Sequence, residues 1–169
     1  MTVRLHLLRH AKSSWDDETL ADHDRPLAPR GIRAGKRIRR HLAAHAVRPS
    51  LVVCSTATRA RQTLDLVLPA LGAPRVELEE GVYLAWADDL VQLLRGLPDE
   101  SPEVMLVGHN PGLHDLALML ADEASRPALD ENLPTGGLVT LDLPAASWRD
   151  VEEGTATLVS FVKPRELPS

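Results

Sequence analysis

An α/β fold, a three-layer α/β/α sandwich around a mainly parallel central sheet with an antiparallel edge, is predicted by three features of the sequence. Short apolar runs of strand length alternate with longer stretches of helical periodicity, the pattern that stacks helices on both faces of a parallel sheet. The runs Val3-Arg4-Leu5-His6-Leu7-Leu8, Leu51-Val52-Val53-Cys54 and Val104-Met105-Leu106-Val107 are apolar almost throughout, as strands covered on both faces are. Two late runs, near 137–143 and 155–162, follow one another without an intervening helix and therefore pair antiparallel.

The first strand, near 3–9, ends at Arg9-His10-Ala11 and so delivers a cation and an imidazole to the carboxyl end of the sheet, where open α/β folds build their sites. An irregular loop follows. A helix near 30–46 opens on Pro29, whose missing N–H costs nothing in a first turn, and Ile32, Gly35, Ile38, Leu42 and Ala46 then fall on one face. Ala28 offers no side-chain oxygen as a cap, a loss of about 1 kcal/mol unless Asp24 or another group substitutes. A strand near 50–54, a helix near 57–71 and a strand near 75–78 come next, then a loop rich in Glu and Trp. A helix near 87–96, a strand near 103–107 and a helix near 111–121 precede the closing strands, with Pro127, Pro134 and Pro144 punctuating loops. The length and the absence of a linker or repeat predict one domain over 1–169.

Composition narrows the function classes. The net charge of −5 divides unevenly: residues 1–64 carry 13 Lys/Arg against 5 Asp/Glu, and residues 65–169 carry 6 against 19. No acid occurs between Asp24 and Asp65, so the first part attracts an anion unless its cations simply form the solvated face of the helix. Five aromatic residues, no nucleic-acid motif and an overall negative charge argue against nucleic acid as a partner. No run approaches a membrane span or a signal peptide, and the one cysteine, Cys54, excludes an internal disulfide; a soluble cytoplasmic protein is expected.

Three apolar strands each end in a cationic or imidazole group: Arg9 and His10 after the first, Arg59 within Ser55-Thr56-Ala57-Thr58-Arg59-Ala60-Arg61-Gln62-Thr63 after the second, and His109 within Gly108-His109-Asn110-Pro111-Gly112 after the fourth. Together with Leu8-Arg9-His10-Ala11-Lys12-Ser13-Ser14-Trp15 and Arg25-Pro26-Leu27-Ala28-Pro29-Arg30-Gly31, all in the family's order, these segments resemble the histidine phosphatase superfamily, branch 1, and within it the SixA-type phosphohistidine phosphatases. The resemblance implies a phosphoglycerate-mutase-like fold and a phosphatase that hydrolyses phosphohistidine on a protein through a covalent phospho-His10 intermediate. It implies His10 as nucleophile, Arg9 and Arg59 as phosphoryl ligands, and His109 as the residue completing the pocket. Gly108 is expected to allow close backbone approach to substrate, and the helix that starts near Pro111 to aim its amino end at the anion.

The chemistry agrees with those roles. A neutral imidazole attacks phosphorus, nearby guanidiniums disfavour its protonation, and their forked donors suit phosphate oxygens. Two departures stand out. Trp15 is followed by Asp16 where the wider superfamily often has Asn, and the longer insertion that carries a leaving-group acid in mutases and many ester phosphatases is short here. Asp16, Glu79 and Glu80 are the candidate acids.

Other chemistries fit less well. A cysteine-dependent phosphatase places five residues between its Cys and Arg, whereas four separate Cys54 from Arg59, and Cys54 ends an apolar strand. His41 and His45 share a helix face, but no carboxylate motif accompanies them, and His6, His23 and His114 are isolated, so no metal is expected. No Walker or dinucleotide glycine motif occurs, and no cofactor is expected. The partner is then a phosphoprotein or a small phosphorylated substrate. The alternatives are a phosphatase of small phosphate esters and a non-catalytic phosphate-recognition module, the latter disfavoured by His10.

Overall fold

Alternation along the first strand decides which layers flank the sheet. In the computed structural model, which describes residues 1–169, β1 spans Val3–Arg9. Its Leu5 and Leu7 join one buried cluster, and Leu8 joins the other. The remaining strands are β2 (Leu51–Ser55), β3 (Arg75–Glu79), β4 (Glu103–Gly108), β5 (Leu138–Leu143) and β6 (Thr157–Val162), and the helices are α1 (Pro29–Ala44), α2 (Thr58–Val67), α3 (Ala87–Arg95) and α4 (Gly112–Leu120). Leu5, Leu7, Val53, Val104, Leu106 and Leu141 pack with α3 and α4, while Leu8, Val52, Cys54, Met105 and Val107 pack with α1 and α2. The period of two in the strands thus feeds two separate cores, and the three-layer sandwich follows.

The six strands form one sheet in the order β3-β2-β4-β1-β5-β6. β3, β2, β4 and β1 run parallel, β5 is antiparallel to β1, and β6 is antiparallel to β5. The expected antiparallel closing pair is present, and β5 alone runs against the others. In register, Arg9 lies beside Gly108 and Cys54 beside Val107, which brings the carboxyl ends of β1, β4 and β2 side by side. No helix is long and apolar enough to cross a membrane.

Two elements differ from their sequence reading. The α-helical part of the second helix stops at Val67, and the chain tightens into a 3-10 turn at Leu68–Ala70, because Pro69 has no N–H to continue the ladder. Along α1 the buried seam is Gly31, Gly35, Ile38 and Leu42, whereas Ile32 is 39% exposed and Ala46 lies past the helix end. Glycine sets that seam because α1 comes so close to its neighbours: a Cβ on Gly31 would stand 2.1 Å from the Lys12 carbonyl oxygen.

The N-cap of α1 has no substitute for the missing hydroxyl. Ala28 makes no side-chain cap bond, and its own N–H donates to the Lys12 carbonyl at 2.9 Å. Its φ of −77° and ψ of 160° suit a capping residue. Ala28→Ser should therefore raise the unfolding free energy by about 1 kcal/mol in urea titration, and an unchanged midpoint would refute the capping argument.

Candidate active site

His10 sits directly beyond β1, 7% exposed, with its backbone N–H donating to the Gly108 carbonyl at 3.0 Å. Its Nδ1 is 2.7 Å from the Ala11 carbonyl oxygen. A carbonyl only accepts, so Nδ1 carries the hydrogen and Nε2 holds the lone pair. Burial pushes the His10 imidazole down to about 4, with Arg59, Arg9 and Arg25 pushing the same way against the Ala11 bond. The ring is neutral at physiological pH.

His109 follows β4, its ring centroid 5.2 Å from that of His10. Burial first, then His10 and Arg59, holds it at about 3. Its Nε2 is 2.7 Å from Ser55 Oγ at the end of β2. Ser55 Oγ also accepts the Ala57 N–H at 3.2 Å, which fixes the serine against both.

Arg59 projects from the first turn of α2 and donates through Nη1 to the Asp22 carbonyl at 2.7 Å and through Nη2 to Asp22 Oδ2 at 3.0 Å. Arg9 donates through Nη1 to the Leu133 carbonyl at 3.0 Å, and burial beside Arg59 lowers its guanidinium pKa. Three buried side-chain nitrogens remain without partners: Arg9 Nε, Arg59 Nε and His109 Nδ1. Native interiors pair nearly all such groups, so three unpartnered nitrogens on side chains that share one cleft stand out. All four side chains line one cleft of about 280 Å³.

The candidate acids lie elsewhere. Asp16 is exposed and outside the cleft, as are Glu79 and Glu80, and the Glu79 carboxylate accepts the Gly81 N–H at 3.0 Å. Gly108 gives its carbonyl to His10 and does not line the cleft; a Cβ there would approach the Val82 side chain at 3.0 Å. Gly112 likewise packs on the Ala85 carbonyl, 2.2 Å from where its Cβ would be. These glycines fit the 82–85 segment against the sheet. At the amino end of α4, the Leu113 N–H bonds the His109 carbonyl and the His114 N–H bonds Asn110 Oδ1, so those donors are already used.

Several neighbours escaped the sequence reading. Arg25 lines the cleft, donates to Ser13 Oγ at 2.9 Å and lies 3.5 Å over the Trp15 ring. Asp22 accepts from Arg59, from Arg25 and, at 2.6 Å, from the Tyr83 hydroxyl. The Tyr83 bond, with those of Arg59 and Arg25, holds the Asp22 carboxyl at about 2. Ser55 fixes His109, and Thr63 Oγ1 accepts the Ala11 N–H while donating to the Arg59 carbonyl, tying the first and third motifs together. Arg25 stood inside a quoted motif; Asp22 had no signal, being one of five acids crowded into 16–24.

The remaining sulfur and imidazoles stand apart from this cleft. Burial pushes the Cys54 thiol up to about 12, which makes it an unreactive core side chain. His6 bonds Thr140 and Glu103 within the sheet, and His41 stacks on His45. No three His, Cys, Asp or Glu side chains converge in a metal-binding group.

Two histidines held neutral make stability depend on pH. Their folded pKa values of about 4 and about 3 lie below the ordinary 6.5, so the unfolded chain binds protons first as pH falls. The stabilisation is complete above pH ~6.5 and is lost progressively as pH drops towards 4 and below, on the order of a few kcal/mol. The urea midpoint should fall across that window in the wild type and fall less in His10→Ala; equal slopes would refute the assignment.

Residues 5–83 match the family described as histidine phosphatase superfamily (branch 1). An uncharacterised protein of Mycobacterium tuberculosis is 40% identical over 163 residues, covering 94% of this chain and 100% of that protein. Among solved structures, a candidate phosphohistidine phosphatase SixA from Agrobacterium tumefaciens is similar at 31% identity and a TM-score of 0.81, covering 96% of this chain and 98% of the other. Another, from Nakamurella multipartitia, superposes with a TM-score of 0.86 at 26% identity, covering 97% of each chain.

Proposed function

We propose, because the chain belongs to the histidine phosphatase superfamily (branch 1), that this phosphatase hydrolyses phosphohistidine on a protein through a phosphorylated His10 and without a metal. The observation that carries the reading is that Arg9, Arg59 and His109, each with a buried unpartnered nitrogen, line one cleft with the neutral His10. A transferring phosphoryl group spreads its charge over three equatorial oxygens, and preorganised donors there lower the barrier. The likeness to the Agrobacterium and Nakamurella proteins supports the same substrate class.

In the first step the Nε2 lone pair forms the new N–P bond while the substrate N–P bond breaks, and the departing imidazole takes its proton from solvent. The His10 Nδ1–H stays on the Ala11 carbonyl and holds the ring in line. In the second step a water oxygen attacks phosphorus, the electron pair of the N–P bond returns to Nε2, and the water proton leaves with phosphate. The guanidiniums of Arg9 and Arg59 supply the positive charge that a metal supplies in other phosphatases. No carboxylate lines the cleft to protonate an alkoxide, whereas imidazole departs readily without such help.

Comparing kcat/KM for a phosphohistidine peptide, an aryl phosphate and an alkyl phosphate, with and without EDTA, tests this reading. The expected order is peptide, aryl, alkyl, with the alkyl ester slower by roughly 10²–10⁴ for want of an acid, and chelator without effect. A best rate on the alkyl ester would overturn the substrate class; activity lost in EDTA and restored by Mn²⁺ or Zn²⁺ would overturn the metal-free mechanism.

A further inference from the structure

Beside the catalytic cleft lies a second one of about 400 Å³, and the two share Lys12 and Thr135. Arg30, Arg33 and Arg37 of α1 line it, with Arg165 from beyond β6, and no acidic residue does. Arg165 is bonded to Glu131, but Lys12, Arg30, Arg33 and Arg37 enter none of the chain's ion pairs. Positions 30, 33 and 37 fall on one helix face over about 10 Å, so their charges repel one another along its length. A merely solvated face would be open to water on all sides. Here Arg37 is half-buried and, with Arg30, Arg33, Thr135 and Pro134, lines a concavity that shares Lys12 and Thr135 with the cleft of His10.

We propose that this basic cleft binds an acidic segment of the phosphorylated protein, seating carboxylate side chains that flank the phosphohistidine; the proposal rests on the reading of His10 given above. Guanidinium forks match carboxylates, and an extended chain covers about 10 Å in three residues, the length of the arginine row. A single small anion would occupy only part of that row. Exposed Trp15 and Leu84, 68% and 57% accessible at the rim of the catalytic cleft, offer a polypeptide apolar contact that phosphate cannot use.

Arg33→Ala/Arg37→Ala, which leaves the residues around His10 intact, tests the cleft in two ways. Calorimetry with an unphosphorylated peptide carrying four glutamates, against the same peptide with glutamines, should show roughly tenfold tighter binding of the acidic form to the wild type. The double variant should lose that preference, and salt should weaken it. In turnover, the KM for a glutamate-flanked phosphohistidine peptide should rise about tenfold in the variant, with kcat and phosphoramidate hydrolysis unchanged. Equal binding of both peptides to the wild type, or an undiminished preference in the variant, would overturn the proposal. So would a site for inorganic pyrophosphate that the two substitutions abolish without any glutamate preference. If phosphoramidate and the phosphohistidine peptide both resist hydrolysis while the glutamate preference persists, the reaction assigned to His10 fails and the acidic-segment site stands.

Discussion

His10→Ala should form no phosphoenzyme and lose turnover by roughly 10⁴-fold or more, because it removes the attacking atom and not merely one stabilising charge. Wild-type enzyme mixed with labelled phosphohistidine peptide and quenched in alkali, where phosphohistidine survives, should carry label on a single histidine. The variant should carry none. The fold should persist, since the His10 ring bonds only the adjacent Ala11 carbonyl and opens onto the cleft. Label retained by a folded His10→Ala protein would remove His10 from its assigned role. The same neutral ring predicts the pH profile: kcat/KM should keep its acidic limb near pH 4, where burial places the imidazole, and not near 6.5.

Much of this arrangement is readable in the sequence because local rules fix it. Unbroken apolar runs at 51–54 and 104–107 specify buried parallel strands, and residues that immediately follow such strands end up at one rim of the sheet. Arg9, His10 and His109 reach that rim because they adjoin a strand end, and Arg59 because it opens the helix that follows β2. What escapes that reasoning depends on long-range closure. Asp22 lies in a loop without periodicity, and only the folded chain brings it to Arg59, 37 positions later, and to Tyr83, 61 positions later. The 133–137 loop, which holds Arg9 through the Leu133 carbonyl, is equally silent in sequence. Along α1 hydrophobicity points to Ile32, whereas the close approach to Lys12 puts Gly31 in the buried seam instead. The direction of β5 also escaped, since a strand's partner on its far side leaves no local mark.

Arg59→Ala should slow kcat/KM by roughly 10²–10³, the usual loss when one preorganised donor to a developing oxyanion is removed. Arg59→Lys should recover little of it, because a point charge cannot bond Asp22 through Nη1 and Nη2 while offering Nε to phosphate. Asp22 acts on that guanidinium from behind. Held at about 2 by Tyr83, Arg59 and Arg25, its carboxyl is ionised at working pH and has no proton to give. Asp22→Asn should accordingly loosen Arg59 and slow the phosphohistidine peptide and an alkyl phosphate by the same factor, about tenfold, with Tyr83→Phe following in the same direction and more weakly. A general acid would behave otherwise: its loss would spare the phosphohistidine peptide, whose imidazole departs unaided, and nearly abolish alkyl ester cleavage. Measuring both substrates on Asp22→Asn separates the two roles, and a selective loss on the alkyl ester would make Asp22 the proton donor and reopen the choice of substrate.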